Sequence, residues 1–331
     1  MEVAVFSTRP YDQDALKGAA KGTDLRFRFL EARLGPDTAG LADGCDAACL
    51  FVNDDADAAA IEKLAGLGVR GLATRSAGFN HVDLEAAKEH DIPVLRVPAY
   101  GPHGVAEHAL ALLMTLNRRT HRAFNRVREG NFALDGLMGF ELHGKTVGVV
   151  GTGVIGSAAA RIFLGLGCRV LASDTRENQD LKDAGVEYRE PDRLWPDLDV
   201  LTLHCPLTPE THHLVDEHVL EALPDHAIVV NTSRGGLIDT AAALRALRKK
   251  EIGGLGIDVY EEEAGLFFED RNQQGLTDEL LAQLVALPNV LVTGHQAFFT
   301  REAVDRIAET TVRNLLALDA GGAAESDNLV A

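Results

Sequence analysis

Positive charge, long apolar runs and cysteine are all scarce in this sequence. Lysine and arginine total 32 against 50 aspartates and glutamates, which gives a formal net charge of −18. Because nucleic acids bind to basic surfaces, this balance argues against a nucleic-acid partner. No apolar run approaches the roughly 20 residues of a membrane-spanning helix, and the first residues lack the basic segment of a signal peptide. We therefore expect a cytoplasmic protein with no membrane partner.

The few cysteines and the histidines do not form a recognisable metal-binding motif. Cys45, Cys49, Cys168 and Cys205 include no CxxC pair, and no nearby histidine pair completes a zinc set. We predict four buried thiols in a reducing compartment and no metal site. The adjacent histidines 212 and 213 lie in a polar turn, and we expect their side chains to be solvated.

The 331 residues suffice for two domains, and their pattern predicts an α/β fold. Apolar strand-like runs alternate with helical patterns, as they do in parallel sheets with crossover helices. The predicted strands are residues 3–8, 25–30, 47–52, 71–74, 94–97, 147–150, 169–173, 200–204, 227–231, 255–259 and 290–293. A helix over residues 105–122 follows Gly101-Pro102, and an amphipathic helix over 301–318 could return to the first domain. We predict a first domain of residues 1–100 with 297–331, and a second of 101–296.

A glycine-rich turn follows the first strand of the second domain. Apolar residues 147–150 precede it, a helical pattern follows it, and the turn itself reads Gly151-Thr152-Gly153-Val154-Ile155-Gly156. In this context the glycines permit a tight turn, a close approach to a pyrophosphate and close helix–strand packing. The free N–H groups of the helix start would bind the phosphates. The turn predicts a dinucleotide site.

Asp174 ends the next predicted strand, roughly 20 residues beyond the glycine turn, where the dinucleotide fingerprint needs an acid. A carboxylate there accepts hydrogen bonds from the adenosine ribose and repels a 2′-phosphate. We therefore predict NAD as the cofactor, in preference to NADP.

Three chemically capable side chains follow three later predicted strands. Arg234 follows residues 227–231, Glu263 follows 255–259, and His295 follows 290–293. Because ligands of open parallel sheets bind outside the carboxyl ends of the strands, we expect these three groups to converge. Each also has a simpler interpretation, since an arginine after a strand is commonly a surface ion pair and Glu261 or Glu262 could take the place of Glu263.

The chain resembles the D-specific 2-hydroxyacid dehydrogenases over nearly its whole length. The resemblance rests on long segments in order, which are residues 75–83, 106–108, the glycine turn, and residues 204–211, 231–235, 256–263 and 294–300. It implies a flavodoxin-like substrate domain, a Rossmann NAD-binding domain and a homodimer or higher homo-oligomer, with relatives dimerising through the long helix after Gly101. It also implies a small 2-keto or 2-hydroxy acid as the substrate.

The resemblance assigns a role to each candidate residue. Arg234 would bind the substrate carboxylate and polarise the keto oxygen, His295 would be the acid–base, and Glu263 would pair with His295 and favour its protonated form. The substrate would also contact Ala77, Gly78, Tyr100 and Phe299. Cofactor contacts are implied for Gly151, Gly153, Val154, Ile155, Gly156, Asp174, Cys205, Pro206, Thr211, Thr232, Ser233, Arg234 and Asp258.

Two positions depart from the pattern of the family. Val154 stands where relatives often have a basic or polar residue, and Gly294 replaces the proline that commonly precedes the catalytic histidine.

Residues 264–270 and 296–299 resemble the branch of the family that reduces pyruvate to D-lactate. We therefore expect reversible reduction of pyruvate to D-lactate with NADH. The first alternative is a D-2-hydroxyisocaproate-type or other D-2-hydroxyacid dehydrogenase, which differs by a few pocket side chains. The second is a dinucleotide-sensing corepressor, a binding protein of the same fold.

Overall fold

The computed structural model describes residues 1–98, 100–263, 265–268 and 270–331. The chain divides into two compact units, of which unit 1 comprises Met1–Gly101 and Phe298–Ala331 and unit 2 comprises Pro102–Ala297. Each unit contains one parallel sheet with buried apolar clusters on both faces, so the predicted α/β class is confirmed. Within the described ranges, no helix has both the length and the apolar character needed to cross a membrane.

Unit 1 is built on a five-stranded sheet in the order β2-β1-β3-β4-β5. Its elements are β1 (Glu2–Val5), α1 (Pro10–Ala19), β2 (Arg26–Phe29), β3 (Ala47–Leu50), α2 (Ala58–Gly66), β4 (Leu72–Thr74), α3 (Leu84–Glu89) and β5 (Val94–Leu95). This order is the flavodoxin-like one. Val3 and Val5 join one apolar cluster while Ala4 and Phe6 join the cluster on the opposite face. Both faces are covered, which explains why β1 is apolar from Val3 onward.

Unit 2 contains a seven-stranded sheet in the order β12-β11-β10-β9-β6-β7-β8. Its elements are α4 (Pro102–Arg118), α5 (Thr120–Arg128), β6 (Thr146–Val150), α6 (Val154–Gly165), β7 (Arg169–Ser173), α7 (Gln179–Asp183), β8 (Glu187–Tyr188), β9 (Val200–Leu203), α8 (Glu217–Ala222), β10 (Ile228–Asn231), α9 (Thr240–Lys249), β11 (Gly254–Ile257), α10 (Glu279–Val285) and β12 (Val290–Val292). Counted from β6, the strand order is the Rossmann order with one further parallel strand. Successive strands are added on one side of β6 up to β8 and on its other side from β9 onward, so the switch point lies between β6 and β9.

The helix predicted over residues 105–122 differs in the structure. The chain forms α4 and α5 as two helices, because Arg119 adopts φ +50° and interrupts the helical backbone between them. An apolar pattern carries no signal for a single left-handed residue, which is why the sequence predicted one continuous helix.

The last helix, α11 (Arg301–Asp319), packs on the first sheet. Ala308, Val312 and Leu315 of α11 share an apolar cluster with Val3 of β1 and Leu16 of α1. The four cysteines are free and buried, as predicted.

Candidate active site

Unit 2 has a glycine turn at the carboxyl end of β6, where the strand order reverses. Gly151 has φ +87°, and a Cβ on it would lie 2.5 Å from the Cys205 nitrogen. A Cβ on Gly156 would collide with the Gly151 carbonyl, whereas a Cβ on Gly153 would meet no atom of the described residues within 4 Å. Gly153 is the N-cap of α6, and among the residues that the structure describes no side chain caps this helix. Open space beside uncapped N–H groups fits the pyrophosphate of a dinucleotide.

Asp174 follows β7 and accepts hydrogen bonds from both of its neighbouring loops. Its Oδ2 accepts from the Thr152 nitrogen at 2.5 Å and hydroxyl at 3.1 Å, and its Oδ1 accepts from the Arg176 nitrogen at 2.9 Å. Burial opposes ionisation, but these bonds outweigh it and lower the pKa of Asp174. The side chain is therefore a carboxylate at neutral pH, the charge state that repels a 2′-phosphate.

The predicted cofactor residues after β9 and β10 lie in two loops joined by a hydrogen bond. Ser233 Oγ donates to the Cys205 carbonyl at 2.6 Å, and burial raises the pKa of the Cys205 thiol to about 11, so the thiol is neutral. Thr232 Oγ1 is buried and has no hydrogen-bond partner within the described part of the chain. Since buried hydroxyls are normally paired, Thr232 is a group that a bound ligand could satisfy.

Three further predicted cofactor residues lie in the loop after β9 and at the start of α6. Thr211 Oγ1 donates to the Pro206 carbonyl at 2.7 Å, so this hydroxyl stabilises its own loop. Val154 and Ile155 begin α6, and the Val154 side chain is 69% exposed. The start of this helix thus presents an apolar side chain where a basic one would attract phosphate.

Arg234, Glu263 and His295 follow β10, β11 and β12, which are neighbours in one parallel sheet. His295 Nδ1 lies 2.9 Å from Glu263 Oε1, and Glu263 Oε2 accepts a hydrogen bond from the Tyr260 nitrogen at 3.1 Å. The carboxylate holds the imidazole through Nδ1, so Nε2 is the atom that can exchange a proton with a ligand. Arg234 is half-buried and donates from Nη1 to the Ser233 carbonyl at 2.7 Å. Its other N–H groups suit a carboxylate.

The turn that carries His295 is held by Asp258, which is 0% exposed. Asp258 Oδ1 accepts hydrogen bonds from Thr293 Oγ1 at 2.5 Å and from the Gln296 nitrogen at 2.9 Å. Its Oδ2 accepts from the Ala297 nitrogen at 2.7 Å. The His295 nitrogen donates to the Asp258 carbonyl at 2.7 Å, and His295 adopts φ +54°. Asp258 therefore fixes the backbone on both sides of the imidazole.

His108 of α4 extends this network. Its Nε2 lies 3.0 Å from Thr293 Oγ1 and 3.4 Å from Asp258 Oδ1. Burial opposes ionisation of Asp258, but the bonds from His108, Thr293 and two backbone N–H groups outweigh it and lower its pKa. The structure thus gives Asp258 a positioning role that sequence reasoning missed, and its predicted contact with NAD stays a prediction. The 106–108 segment, on which the family resemblance partly rests, contains His108, but nothing in the sequence indicates that His108 hydrogen-bonds to Thr293.

In unit 1, the backbone of Ala77 and Gly78 is held through its carbonyl groups after β4. Ser76 Oγ donates to the Gly78 carbonyl at 2.7 Å, and Arg96 Nη1 donates to the Ala77 carbonyl at 3.2 Å. The Arg96 guanidinium also lies 5.5 Å from the centre of the Phe79 ring. With the carbonyls held, the N–H groups of this loop are the donors it can offer to an anion.

Tyr100 and Phe299, the predicted walls of the substrate pocket, both pack against Phe298. The ring centres lie 6.2 Å and 6.0 Å from that of Phe298, and Phe299 also meets Tyr11 edge-on at 4.6 Å. Phe299 is 52% exposed, so this aromatic cluster leaves an apolar ring accessible at the surface of unit 1.

The segment over residues 264–270 is partly described. Its Phe268 ring lies 5.6 Å from the His295 ring, whereas Ala264 and Glu269 lie outside the described residues.

A buried ion pair lies next to the loop of Ala77 and Gly78 in unit 1, and it was not singled out from the sequence. Arg75 Nε lies 3.7 Å from Asp12 Oδ1, and Arg75 Nη2 donates to the Phe6 carbonyl at 2.9 Å. Burial raises the pKa of Asp12 although the arginine opposes that shift. Arg75 directly precedes Ser76, so the pair fixes the end of β4. In the sequence, Arg75 appears only as the first residue of the 75–83 segment, with no indication of its partner Asp12.

His212 is exposed, as expected, and His213 is partly so. The His213 side chain is 33% exposed, and its Nε2 contacts Glu261 Oε1. Glu261 therefore binds a histidine other than His295, which leaves Glu263 as the partner of His295.

Comparison with known proteins identifies the family. The model of the D-isomer specific 2-hydroxyacid dehydrogenase NAD-binding domain matches residues 110–297. D-Lactate dehydrogenase of Escherichia coli strain K12 is 49% identical over 321 residues, covering 97% of this chain and 98% of that protein. This chain belongs to the D-isomer specific 2-hydroxyacid dehydrogenase family. It is thus an NAD-dependent oxidoreductase, and the predicted family and cofactor are confirmed.

Solved structures agree with this assignment. The apo-structure of D-lactate dehydrogenase from Escherichia coli matches with a TM-score of 0.91 at 46% identity, covering 100% of both chains. D-Lactate dehydrogenase from Aquifex aeolicus, complexed with NAD and lactic acid, matches with a TM-score of 0.88 at 33% identity, covering 99% of this chain and 98% of that one. Both known structures therefore share the fold of this dehydrogenase over essentially its full length.

Proposed function

We propose that this dehydrogenase catalyses the reversible reduction of pyruvate to D-lactate with NADH. The observation that carries the proposal is the 2.9 Å hydrogen bond between His295 and Glu263, on strand ends next to that of Arg234. A held imidazole and an arginine suited to carboxylates are the groups that reduction of a 2-keto acid needs. Pyruvate is supported as the substrate by the relatives named D-lactate dehydrogenase.

Each of these groups has one task in the proposed reaction. Arg234 binds the substrate carboxylate and polarises the keto oxygen, and the N–H groups of Ala77 and Gly78 add hydrogen bonds to the carboxylate. His295 Nε2 gives a proton to the keto oxygen during reduction and takes it back during oxidation, while Glu263 keeps the ring oriented. When bound, NADH supplies the hydride for the keto carbon.

We assign cofactor binding to unit 2 and substrate-side-chain recognition to unit 1. The first assignment is supported by the glycine turn, by Asp174 and by the Thr232 hydroxyl, which has no partner in the described part of the chain. The remaining cofactor contacts proposed from the family pattern are Val154, Ile155, Cys205, Pro206, Thr211, Ser233, Arg234 and Asp258. Tyr100 and Phe299 support the second assignment, since an aromatic wall favours a small apolar substituent such as a methyl group.

A substrate panel tests the proposal. Initial rates of cofactor oxidation would be measured with pyruvate and with 2-ketoisocaproate, each with NADH and with NADPH. With NADH, we expect kcat/KM for pyruvate to exceed that for 2-ketoisocaproate by about tenfold or more, because each misplaced methylene costs roughly 1–3 kcal/mol. We expect lower rates with NADPH, because the Asp174 carboxylate repels its 2′-phosphate. A preference for the branched acid would instead support the isocaproate-type alternative. Intact NADH binding without turnover of any 2-keto acid would support the corepressor alternative.

The proposed homodimer has a candidate surface in the segment after α5. The apolar residues of α4, such as Leu112 and Leu113, are buried inside unit 2, so the helix itself is already covered there. Phe132, Leu134 and Met138 are 74%, 82% and 89% exposed. Three large apolar side chains at this exposure in one short segment favour an interface with a second copy of the chain.

Light scattering during size-exclusion chromatography tests the dimer. We expect twice the chain mass of 35.5 kDa. The double substitution Phe132→Ser and Leu134→Ser should reduce the mass to that of one chain. Leu41→Ser, at a 44% exposed leucine of unit 1, is the matched control and should leave the mass unchanged. A wild-type protein with the mass of one chain would refute the dimer.

A cytoplasmic location is also part of the proposal. Its support is the set of four free, buried thiols, which fits a compartment that keeps cysteines reduced. Cell fractionation with an antibody against the chain would test it, and recovery outside the cytoplasmic fraction would contradict it.

A further inference from the structure

Two histidines and a glutamate form a cluster that the dehydrogenase reaction does not use. In the described part of the chain, His212, His213 and Glu261 are the one group of three metal-ligating side chains whose ligand atoms all lie within 4.8 Å of one another. The histidines lie in the loop after β9, and Glu261 lies after β11. The cluster therefore joins two segments that are far apart in the sequence but reach the same edge of the sheet.

The backbone places the two histidines side by side. His213 has φ +52°, a left-handed conformation that is uncommon for a residue with a side chain. Its nitrogen donates to the Gly236 carbonyl at 2.8 Å, which anchors the turn. The rings of His212 and His213 stack with their centres 3.9 Å apart and an angle of 25° between their planes. The stacking keeps the two imidazoles side by side, with His213 partly buried and His212 exposed.

Close packing brings the glutamate to the same place. A Cβ on Gly235 would collide with the Tyr260 carbonyl and with the Glu261 nitrogen, so only glycine lets these two segments approach so closely. Glu261 Oε1 contacts His213 Nε2, and Glu261 Oε2 lies 3.4 Å from the Thr240 nitrogen. The carboxylate is thus held beside the imidazoles by the fold, which lowers the entropic cost of assembling a ligand set.

The donor set has a chemical preference. Two imidazole nitrogens and one carboxylate oxygen suit zinc and its neighbours among the divalent transition metals, whereas calcium and magnesium prefer oxygen alone. The side chains of His213 and Glu261 are 33% and 24% exposed, so an ion can reach them and keep a water ligand. The simpler interpretation is a hydrogen bond between His213 and Glu261 that joins two loops. The role of His212 distinguishes a metal site from such a hydrogen bond, because the hydrogen bond does not need a second imidazole.

We propose that His212, His213 and Glu261 bind one divalent transition-metal ion, with Zn²⁺ as the probe and a fourth position open to water. The ion would cross-link the loop after β9 to the turn that also carries Glu263. We therefore expect added Zn²⁺ to raise the thermal unfolding temperature of the protein, because a ligand that binds the folded state stabilises it.

Calorimetric titration of the full chain with Zn²⁺ tests the site. We expect one ion per chain, and His212→Ala should weaken binding by at least about tenfold, which is the lower end of what perturbed metal sites lose. Because His212 is exposed, this variant should fold normally. His218→Ala, at an exposed histidine of α8, is the matched control and should bind Zn²⁺ like the wild type.

A second variant separates a metal site from a plain hydrogen bond. Glu261→Gln can still hydrogen-bond to His213 but offers a neutral amide in place of a carboxylate, so we expect weaker Zn²⁺ binding and no stabilisation by the ion. The visible absorption of bound Co²⁺ should likewise disappear in His212→Ala and persist in His218→Ala. Wild-type Zn²⁺ affinity in His212→Ala, or no saturable binding by the wild type, would overturn the proposal.

Discussion

Replacing Asp258 by asparagine should damage both stability and turnover, although asparagine has nearly the same shape. The carboxylate is fully buried and accepts hydrogen bonds from Thr293 Oγ1 and from the nitrogens of Gln296 and Ala297. An amide has one acceptor oxygen. If the amide oxygen takes the place of Oδ1, the amide NH₂ faces the Ala297 N–H. In the opposite orientation the NH₂ faces the Thr293 hydroxyl and the Gln296 N–H.

The magnitude follows from the less costly orientation. One charge-assisted hydrogen bond of 2.7 Å is lost, and a buried N–H is left facing another donor. Loss of such a bond with a buried group left unsatisfied costs about 2–4 kcal/mol. About 3 kcal/mol corresponds to a decrease in Tm of roughly 6–12 °C for a unit of this size. Because the same bonds hold the turn that carries His295, displacement of the imidazole should lower kcat by roughly a hundredfold.

Calorimetry and steady-state kinetics on Asp258→Asn would measure both effects. Asp239→Asn is the matched control, because Asp239 accepts the Ala242 nitrogen at 2.8 Å as the N-cap of α9 and asparagine caps equally well. The pKa of Asp258 is lowered in the folded protein, so the wild-type advantage should be complete above the unfolded value of about 3.9 and disappear as pH falls further. Unchanged Tm and kcat in Asp258→Asn would refute the positioning role.

Three further substitutions test other parts of the account. Arg96→Ala removes the hydrogen bond to the Ala77 carbonyl, so KM for pyruvate should rise by roughly tenfold while NADH affinity is unchanged, with partial rescue by Arg96→Lys. Val154→Lys adds a cation at the start of α6, so fluorescence titration should give roughly fivefold tighter NADH binding at low salt, equivalent to about 1 kcal/mol, and less at high salt. His295→Ala should lower kcat by about 10²–10⁴-fold with NADH binding retained.

Each of these three tests has a contradicting outcome. An Arg96→Ala variant that loses NADH affinity as much as pyruvate affinity would indicate general unfolding and not a displaced substrate loop. A Val154→Lys variant without any salt-dependent gain would place the phosphates away from the start of α6. Near-native turnover by His295→Ala would exclude this imidazole as the acid–base group.

The fold was predictable because both sheets are covered on both faces. Strands such as β7 have the bounds that the apolar pattern predicts, since buried parallel strands appear in a sequence as short apolar runs. The two-residue strand β8 has no such run, and α4 ends at a left-handed residue, Arg119, whose type is not one that favours this conformation. A two-residue strand or a helix end set by one dihedral angle leaves no periodic pattern of apolar residues, so the sequence does not predict it.

The candidate site was predictable where a single residue type performs the chemistry. Arg234, Glu263 and His295 stand out because each follows a strand, and the strand order makes their loops neighbours. The supporting groups did not stand out. His108 lies nearly two hundred positions before Thr293 in the sequence, and Glu261 pairs with His213 only because the sheet brings two loops together. Such partners depend on tertiary contacts that sequence spacing does not encode.

The enantiomer of lactate that the protein makes and consumes tests the central claim most directly. Pyruvate and NADH would be incubated with the enzyme and the product resolved by chiral chromatography, with NAD reduction measured separately on each lactate enantiomer. The account predicts D-lactate as the product and oxidation of D-lactate alone. Formation of L-lactate, or equal oxidation of both enantiomers, would contradict it.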